Sequence, residues 1–251
     1  MKKITEGHCM PIQNNNFEEN LWKQAQSIAI EPIAAGLAII PTFYGFQVKT
    51  ALQRGVSIPK YKPLSALKDG LRASPLIAAM ISSQRIGQMA LDQAIQKQFG
   101  CHENFITAIT SSAVIGVACT PAMVIFTGMT QRKSAINSLK DLSLKQFGAS
   151  AAIEVGFLAG MGATGPMIKL FQQKFGNAKS VEYGGAFSSG FIGAMAGHAG
   201  DSAMTMWQNT IKIENLKQLG RGAITRSISV GSLNCIYRFV KDVSQNIPPQ
   251  S

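Results

Sequence analysis

The chain reads as an all-α protein: a bundle of six membrane-crossing helices with three-fold pseudosymmetry, and short helices between the two crossings of each repeat. Three observations lead there. Ser111-Ser112-Ala113-Val114-Ile115-Gly116 returns 77 residues later as Ser188-Ser189-Gly190-Phe191-Ile192-Gly193, and repetition at a fixed period is the first guide to architecture. Three polar connections share a core, Leu67-Lys68-Asp69, Leu139-Lys140-Asp141 and Leu216-Lys217-Gln218, each lying between two apolar stretches. The connections 49–75, 128–147 and 207–226 hold six, four and four of the 24 Lys and Arg against Asp69, Asp141 and Glu214 alone, so they carry the whole +11 net charge. An even number of crossings per repeat puts that charge on one side of a bilayer, as the topological charge bias requires.

The order along the chain follows. Residues 1–24 form a polar N-terminal tail with Glu6, Glu18, Glu19 and the run Gln13 to Asn16; the absence of arginine and of an apolar core there leads us to expect no cleavable leader. Repeat one covers 25–100, repeat two 101–176, repeat three 177–242, and 243–251 is a C-terminal tail. About 20 helical residues cross the hydrocarbon layer, and the stretches 25–48, 76–97, 104–127, 149–172, 184–206 and 222–241 each fit. Glu31, Arg85, Asp92, Glu154, Lys169, His198 and Asp201 interrupt them. Charge inside a crossing belongs on the bundle interior or against water, so the helices are expected to enclose a wet cavity. Gly156, Gly160, Gly190, Gly193 and Gly197 allow close backbone approach, and Pro41 and Pro121 fall near helix ends, where neighbours can satisfy the freed carbonyls.

Other classes fit less well. Only 15% of residues are charged, below the roughly 25% of soluble domains, and a water-soluble helical solenoid needs a polar outer face that these stretches lack. The basic pieces carry no interleaved aromatics or dense arginine runs, so no nucleic-acid partner is expected. Cys9, Cys101, Cys119 and Cys235 are scattered with no CxxC and no histidine cluster, which indicates neither disulfides nor a metal site. Gly160-Met-Gly-Ala-Thr-Gly165 is a literal GxGxxG behind the strand-like 153–158. Without a continuing alternation of strands and helices it is a weak sign of a dinucleotide enzyme, and no cofactor and no catalytic residues are expected.

The three odd stretches end alike, in Tyr44 to Gln53, Pro121 to Thr130 and Ala199 to Gln208, with Thr50, Thr127 and Thr205 at one shared place. This triplication over about 25–242 resembles the mitochondrial carrier family, whose odd helices end in Pro-x-Asp/Glu-x-x-Lys/Arg followed by Thr-Arg-Leu-Gln. Copy one keeps Lys49-Thr50 and Leu52-Gln53 but has Tyr44 and Phe46 at the proline and acid. Copy two keeps Pro121 and Thr127 but has Met123 and Phe126 at the ion-pair places. Copy three keeps Asp201, Thr205 and Gln208, with Ala199 and Met204 at the proline and base. Gly70-Leu71-Arg72 and Arg221-Gly222-Ala223, with Arg226 a turn later, resemble the family's glycine-rich start of the even helices.

The resemblance implies several roles. Lys49 and Asp201 are the surviving partners of the family's gate salt bridge on the basic side; at the opposite gate, Gln98, Gln172 and Lys241 imply a nearly neutral closure. Substrate contacts fall midway along the even helices, at Arg85, at Gly160-Met161 and at Ser229. A guanidinium near the midplane suits a carboxylate or phosphate, and glycine followed by an aliphatic residue is similar to the nucleotide-transporting branch. The implied function is alternating-access transport of a small anionic solute, a nucleotide in preference to a carboxylate, by a monomer in the mitochondrial inner membrane, including that of a host cell. A second expectation, from the missing charge pairs, is a carrier-derived membrane adaptor that no longer transports.

Overall fold

The computed structural model describes the backbone of residues 17–99 and 105–245, and within them the side chains of 30–84, 110–157 and 167–244 and of 86, 87, 90, 91 and 94. All regular structure over these residues is helical: α1 (Phe17–Arg54), α2 (Pro63–Phe99), α3 (Phe105–Thr130), α4 (Ala135–Lys140), α5 (Leu144–Phe175), α6 (Lys179–Ala196), α7 (His198–Gln208), α8 (Leu216–Leu219) and α9 (Ala223–Gln245). Helix α1 begins inside the stretch expected to be a tail, and α9 runs past 242. In the first repeat no separate short helix forms: Pro63 occupies the first helical position, where its missing N–H costs nothing, and α2 continues unbroken through Pro75. The later repeats do break. Ser134 accepts from Asn137 N–H at 3.2 Å to start α4, Asn215 accepts from Gln218 N–H at 3.2 Å to start α8, and the Gln146 side chain accepts from Ser143 N–H at 2.7 Å where α5 begins. Such caps satisfy amides that a helix start otherwise leaves open.

The long helices close into a ring. Helix α1 packs on α2 and α9, α2 on α3, α3 on α5, α5 on α6 and α7, and α6 on α9. Missing side chains set the closest approaches: a Cβ on Gly70 would come within 2.5 Å of Ile40 O, and one on Gly156 within 2.4 Å of Gly197 N. The stretch 184–206, expected as one helix, is divided at Gly197 into α6 and α7.

Three helix ends share one geometry. Helices α1, α3 and α7 stop at residues with positive φ, Gly55 (68°), Arg132 (62°) and Thr210 (55°), spaced by 77 and 78 residues. The next amide reaches back to the fifth residue before it each time: Val56 N–H to Ala51 O (3.0 Å), Lys133 N–H to Gly128 O (2.9 Å) and Ile211 N–H to Met206 O (2.8 Å). This is the Schellman closure, which a left-handed residue makes possible.

Burial is inverted relative to a soluble bundle. Among the described residues, buried polar and charged side chains outnumber buried apolar ones, whereas Ile33, Leu37, Ile86, Val114, Leu170, Ile192 and Phe239 lie exposed on the outer surface. The stretch Thr110–Thr130 of α3 is long and apolar enough to cross a membrane, with mean hydropathy 1.8; no other described helix meets the same standard.

Candidate functional site

A cavity of about 140 Å³ lies inside the ring, lined by residues of α1, α2, α3, α5, α6, α7 and α9. Its floor is an ion pair between the first and fifth long stretches. Lys49 Nζ donates to Asp201 Oδ2 at 2.9 Å and to Oδ1 at 3.0 Å, and Lys49 is 2% exposed. Around that bridge, Gln53 Nε2 donates to Asp201 Oδ2 at 2.8 Å and to Ser202 Oγ at 2.9 Å, and Arg226 Nε lies 3.6 Å from the same carboxylate oxygen. Arg226 also donates to the Ala194 carbonyl. A buried carboxylate that accepts hydrogen bonds from Lys49 and Gln53 and has Arg226 as a second cation beside it meets the condition under which an ion pair survives away from water.

The other two seams at this level are not ionic. Phe46 meets Phe126 edge to face with ring centroids 5.4 Å apart, joining α1 to α3. Met123 of α3 packs into the buried cluster that holds Met204 of α7. Each pair occupies the places that the carrier resemblance gives to an acid and a base. Thioether and ring contacts adapt to irregular space and need no charge compensation. Above the floor, Glu154 of α5 is buried and accepts a hydrogen bond from Gln84 of α2.

Of the six residues singled out in the sequence, Lys49 and Asp201 are brought together. Arg85 lies on α2 one position past Gln84, a cavity residue, and Gly160 and Met161 lie on α5; the side chains of Arg85 and Met161 and the surroundings of Gly160 fall outside the described residues. Ser229 is buried against α1, where a Cβ on Gly45 would come within 2.2 Å of its hydroxyl oxygen, and that hydroxyl donates to Thr225 O at 2.8 Å. The cavity face of α9 is instead Arg226, Val230 and Leu233, four and seven residues apart along one stripe of the helix. On α9 it is thus Arg226 and not Ser229 that lines the cavity, a residue which the sequence showed only as a basic one near a helix start.

The opposite end differs from the neutral closure expected there. Lys241 Nζ pairs with Glu31 Oε1 at 3.1 Å, linking α9 to α1. Lys179 bridges Glu182 (3.1 Å) and Asp242 (3.3 Å), and Arg238 reaches both of the same acids, joining α6 to α9. Glu182 precedes the stretch 184–206; partial burial pulls its carboxyl upward, but the hydrogen bonds and charges of Lys179 and Arg238 outweigh this and hold it below its ordinary range. Gln98 lies outside the described side chains.

The motif Gly160 to Gly165 and the strand-like 153–158 before it both lie within helix α5, so the strand–turn–helix setting that a dinucleotide site needs is not formed there. No three metal-ligating side chains converge among the described residues. No family model and no curated protein matches the chain.

Proposed function

We propose that this chain is a membrane transporter of the mitochondrial carrier type, a six-crossing bundle with three-fold pseudosymmetry that moves a small anionic solute by alternating access. The observation that carries the reading is the Lys49–Asp201 bridge on the floor of the ring's cavity, between helices whose ends share one closure geometry. In this reading the buried polar side chains face a solute path and the exposed apolar ones face lipid, the arrangement that lets interrupted helices live in a bilayer. The multi-pass topology, placed in the mitochondrial inner membrane, belongs to the same proposal. Opening toward the basic side separates Asp201 from Lys49 while bound solute supplies the compensating interaction.

The solute class rests on two arginines. Arg226 lines the cavity, and Arg85 stands one residue from cavity-lining Gln84; both offer the planar donor fork that suits carboxylate or phosphate. A nucleotide is favoured over a small carboxylate through Gly160-Met161. The test is uptake by proteoliposomes against a panel of nucleotides and dicarboxylates. Arg85→Ala abolishes uptake in a transporter. Undiminished uptake by that variant overturns the anion assignment, and absence of uptake by the unmodified chain favours a non-transporting adaptor.

A further inference from the structure

The geometry points to a second anion site, outside the central cavity, that takes a phosphoryl group between the end of α3 and the start of α2. A pocket of about 320 Å³ lies there, with Ser65, Lys68, Asp69, Arg72, Arg132 and Lys133 among its lining. Asp69 is the one acid in the lining, and it is engaged: its Oδ2 accepts from Gln47 Nε2 at 2.9 Å and lies 3.5 Å from Arg132 Nη2. Lys133 pairs with Asp141 at 2.8 Å, just outside the pocket. Lys68 and Arg72 have no ion-pair partner among the described residues. Four cations therefore meet two carboxylates, and the excess of two positive charges matches a phosphoryl group, which carries about −1.5 to −2 near neutral pH.

A general bias toward basic connections does not account for this pocket, because the two comparable helix ends lack it. Where α3 presents Arg132-Lys133, α1 presents Gly55-Val56 and α7 presents Thr210-Ile211, each with the same positive-φ closure. The turn asks for glycine, and Gly55 supplies it. An arginine at φ 62° carries a backbone strain that the closure does not require. What the arginine gains is position: Asp69 and Ser65, which accepts from Arg132 Nη2 at 3.4 Å, hold the guanidinium at the mouth of the pocket. Asp69 here orients a cation that a ligand can still approach, which is how a fixed fork gains over a mobile lysine in phosphate recognition. The site stands on these contacts and does not depend on the transport reading.

The probe is inorganic pyrophosphate, added at constant ionic strength to the full chain in neutral phosphatidylcholine nanodiscs, with the thermal midpoint as readout. The midpoint rises with pyrophosphate, and the half-saturating concentration increases about tenfold in Lys68→Gln, Arg72→Gln and Arg132→Gly. Arg132→Gly relieves the backbone, so it folds at least as well as the unmodified chain and its lost response is not a folding defect. Thr210→Gly gives the same relief away from the pocket and keeps the response. A parallel arm replaces pyrophosphate with phosphatidic acid in the nanodisc: an Arg132-dependent shift seen there alone assigns the phosphate to a lipid headgroup, and one seen with pyrophosphate assigns it to a free ligand. No shift in either arm, or a shift that survives both Arg132→Gly and Lys68→Gln, overturns the site.

Discussion

Phe46 and Phe126 meet edge to face at 5.4 Å, at the same level of the ring where Lys49 grips Asp201. One floor is thus closed by three chemistries: an ion pair between α1 and α7, two rings between α1 and α3, and an apolar cluster that holds Met123 of α3 and Met204 of α7. At this level the seams that α3 makes with α1 and with α7 open without separating charge, while the α1–α7 seam cannot. In the transport reading, α3 is therefore the helix that leaves first.

That asymmetry sets the outcome of a charge exchange. Lys49→Glu leaves two acids facing each other beside Arg226, and breaking a buried pair in this way costs about 3 to 5 kcal/mol. Restoration by the double variant Lys49→Glu, Asp201→Lys is partial, because Arg226 then lies 3.6 Å from the place of a former acid that has become a base. Detergent melting and liposome uptake of both singles and the double check this; a double variant no better than either single shows that the two residues are not coupled.

A double-mutant cycle measures the aromatic seam. Phe46→Leu and Phe126→Leu together should show a coupling of about 0.5 to 1.5 kcal/mol, the excess of an edge-to-face pair over its buried area. Coupling within experimental error of zero would mean that the rings are merely adjacent.

The three left-handed helix ends give predictions of opposite sign. Thr210→Gly removes a β-branched residue from φ 55° and should stabilise by about 1 kcal/mol, whereas Gly55→Val should destabilise by at least that amount. Chemical denaturation of the two variants against the unmodified chain reads both. Loss of stability in Thr210→Gly would contradict the assigned geometry.

Labelling tests topology. With the native cysteines replaced, Cys introduced at Ser57, Ile136 and Leu216 should react from one and the same side of the membrane, since all three lie exposed in the basic connections. Ser134 is avoided because its hydroxyl caps α4. Labelling of positions 57 and 136 from opposite sides would sink the six-crossing arrangement.

At the far end, acid should loosen the clasp between α6 and α9. The Glu182 carboxyl is held below its ordinary value of 4.5 in the folded chain, so the stability it contributes is present above that value and is lost as pH falls through the lowered one. The melting temperature of the unmodified chain should drop on acidification below about pH 4.5, and Glu182→Gln should show a shallower drop. Equal slopes would place the pH dependence elsewhere.

Much of this was legible in the residues. Long apolar stretches located the long helices, apart from the division of 184–206 at Gly197, and Lys49 and Asp201 stood out because each was the sole charge at the place that the carrier resemblance gives to a gate pair. Register around a helix was harder. Ser229 was chosen by distance from a helix end, but a single residue turns the helix by about 100°, and the cavity face runs through Arg226 and Val230 instead. The far-end network was hidden for another reason: Glu31 and Lys241 are 210 positions apart, and Glu182, Arg238 and Asp242 belong to no repeated motif. The phenylalanine and methionine seams were visible as departures from a pattern, yet only packing shows that each departure is matched by its partner.

The contact between Gly156 and Gly197 has a mechanical consequence. Glu154, on the cavity wall, lies two residues before Gly156, and Asp201, on the floor, lies four after Gly197. With no side chain at this crossing to compress, wall and floor share one fulcrum. Helix α5 can roll against α6 and α7 there but cannot move closer to them. A tilt of α5 is then transmitted to the acid that Lys49 holds, so in the transport reading the shape of the chamber and the state of its latch change together.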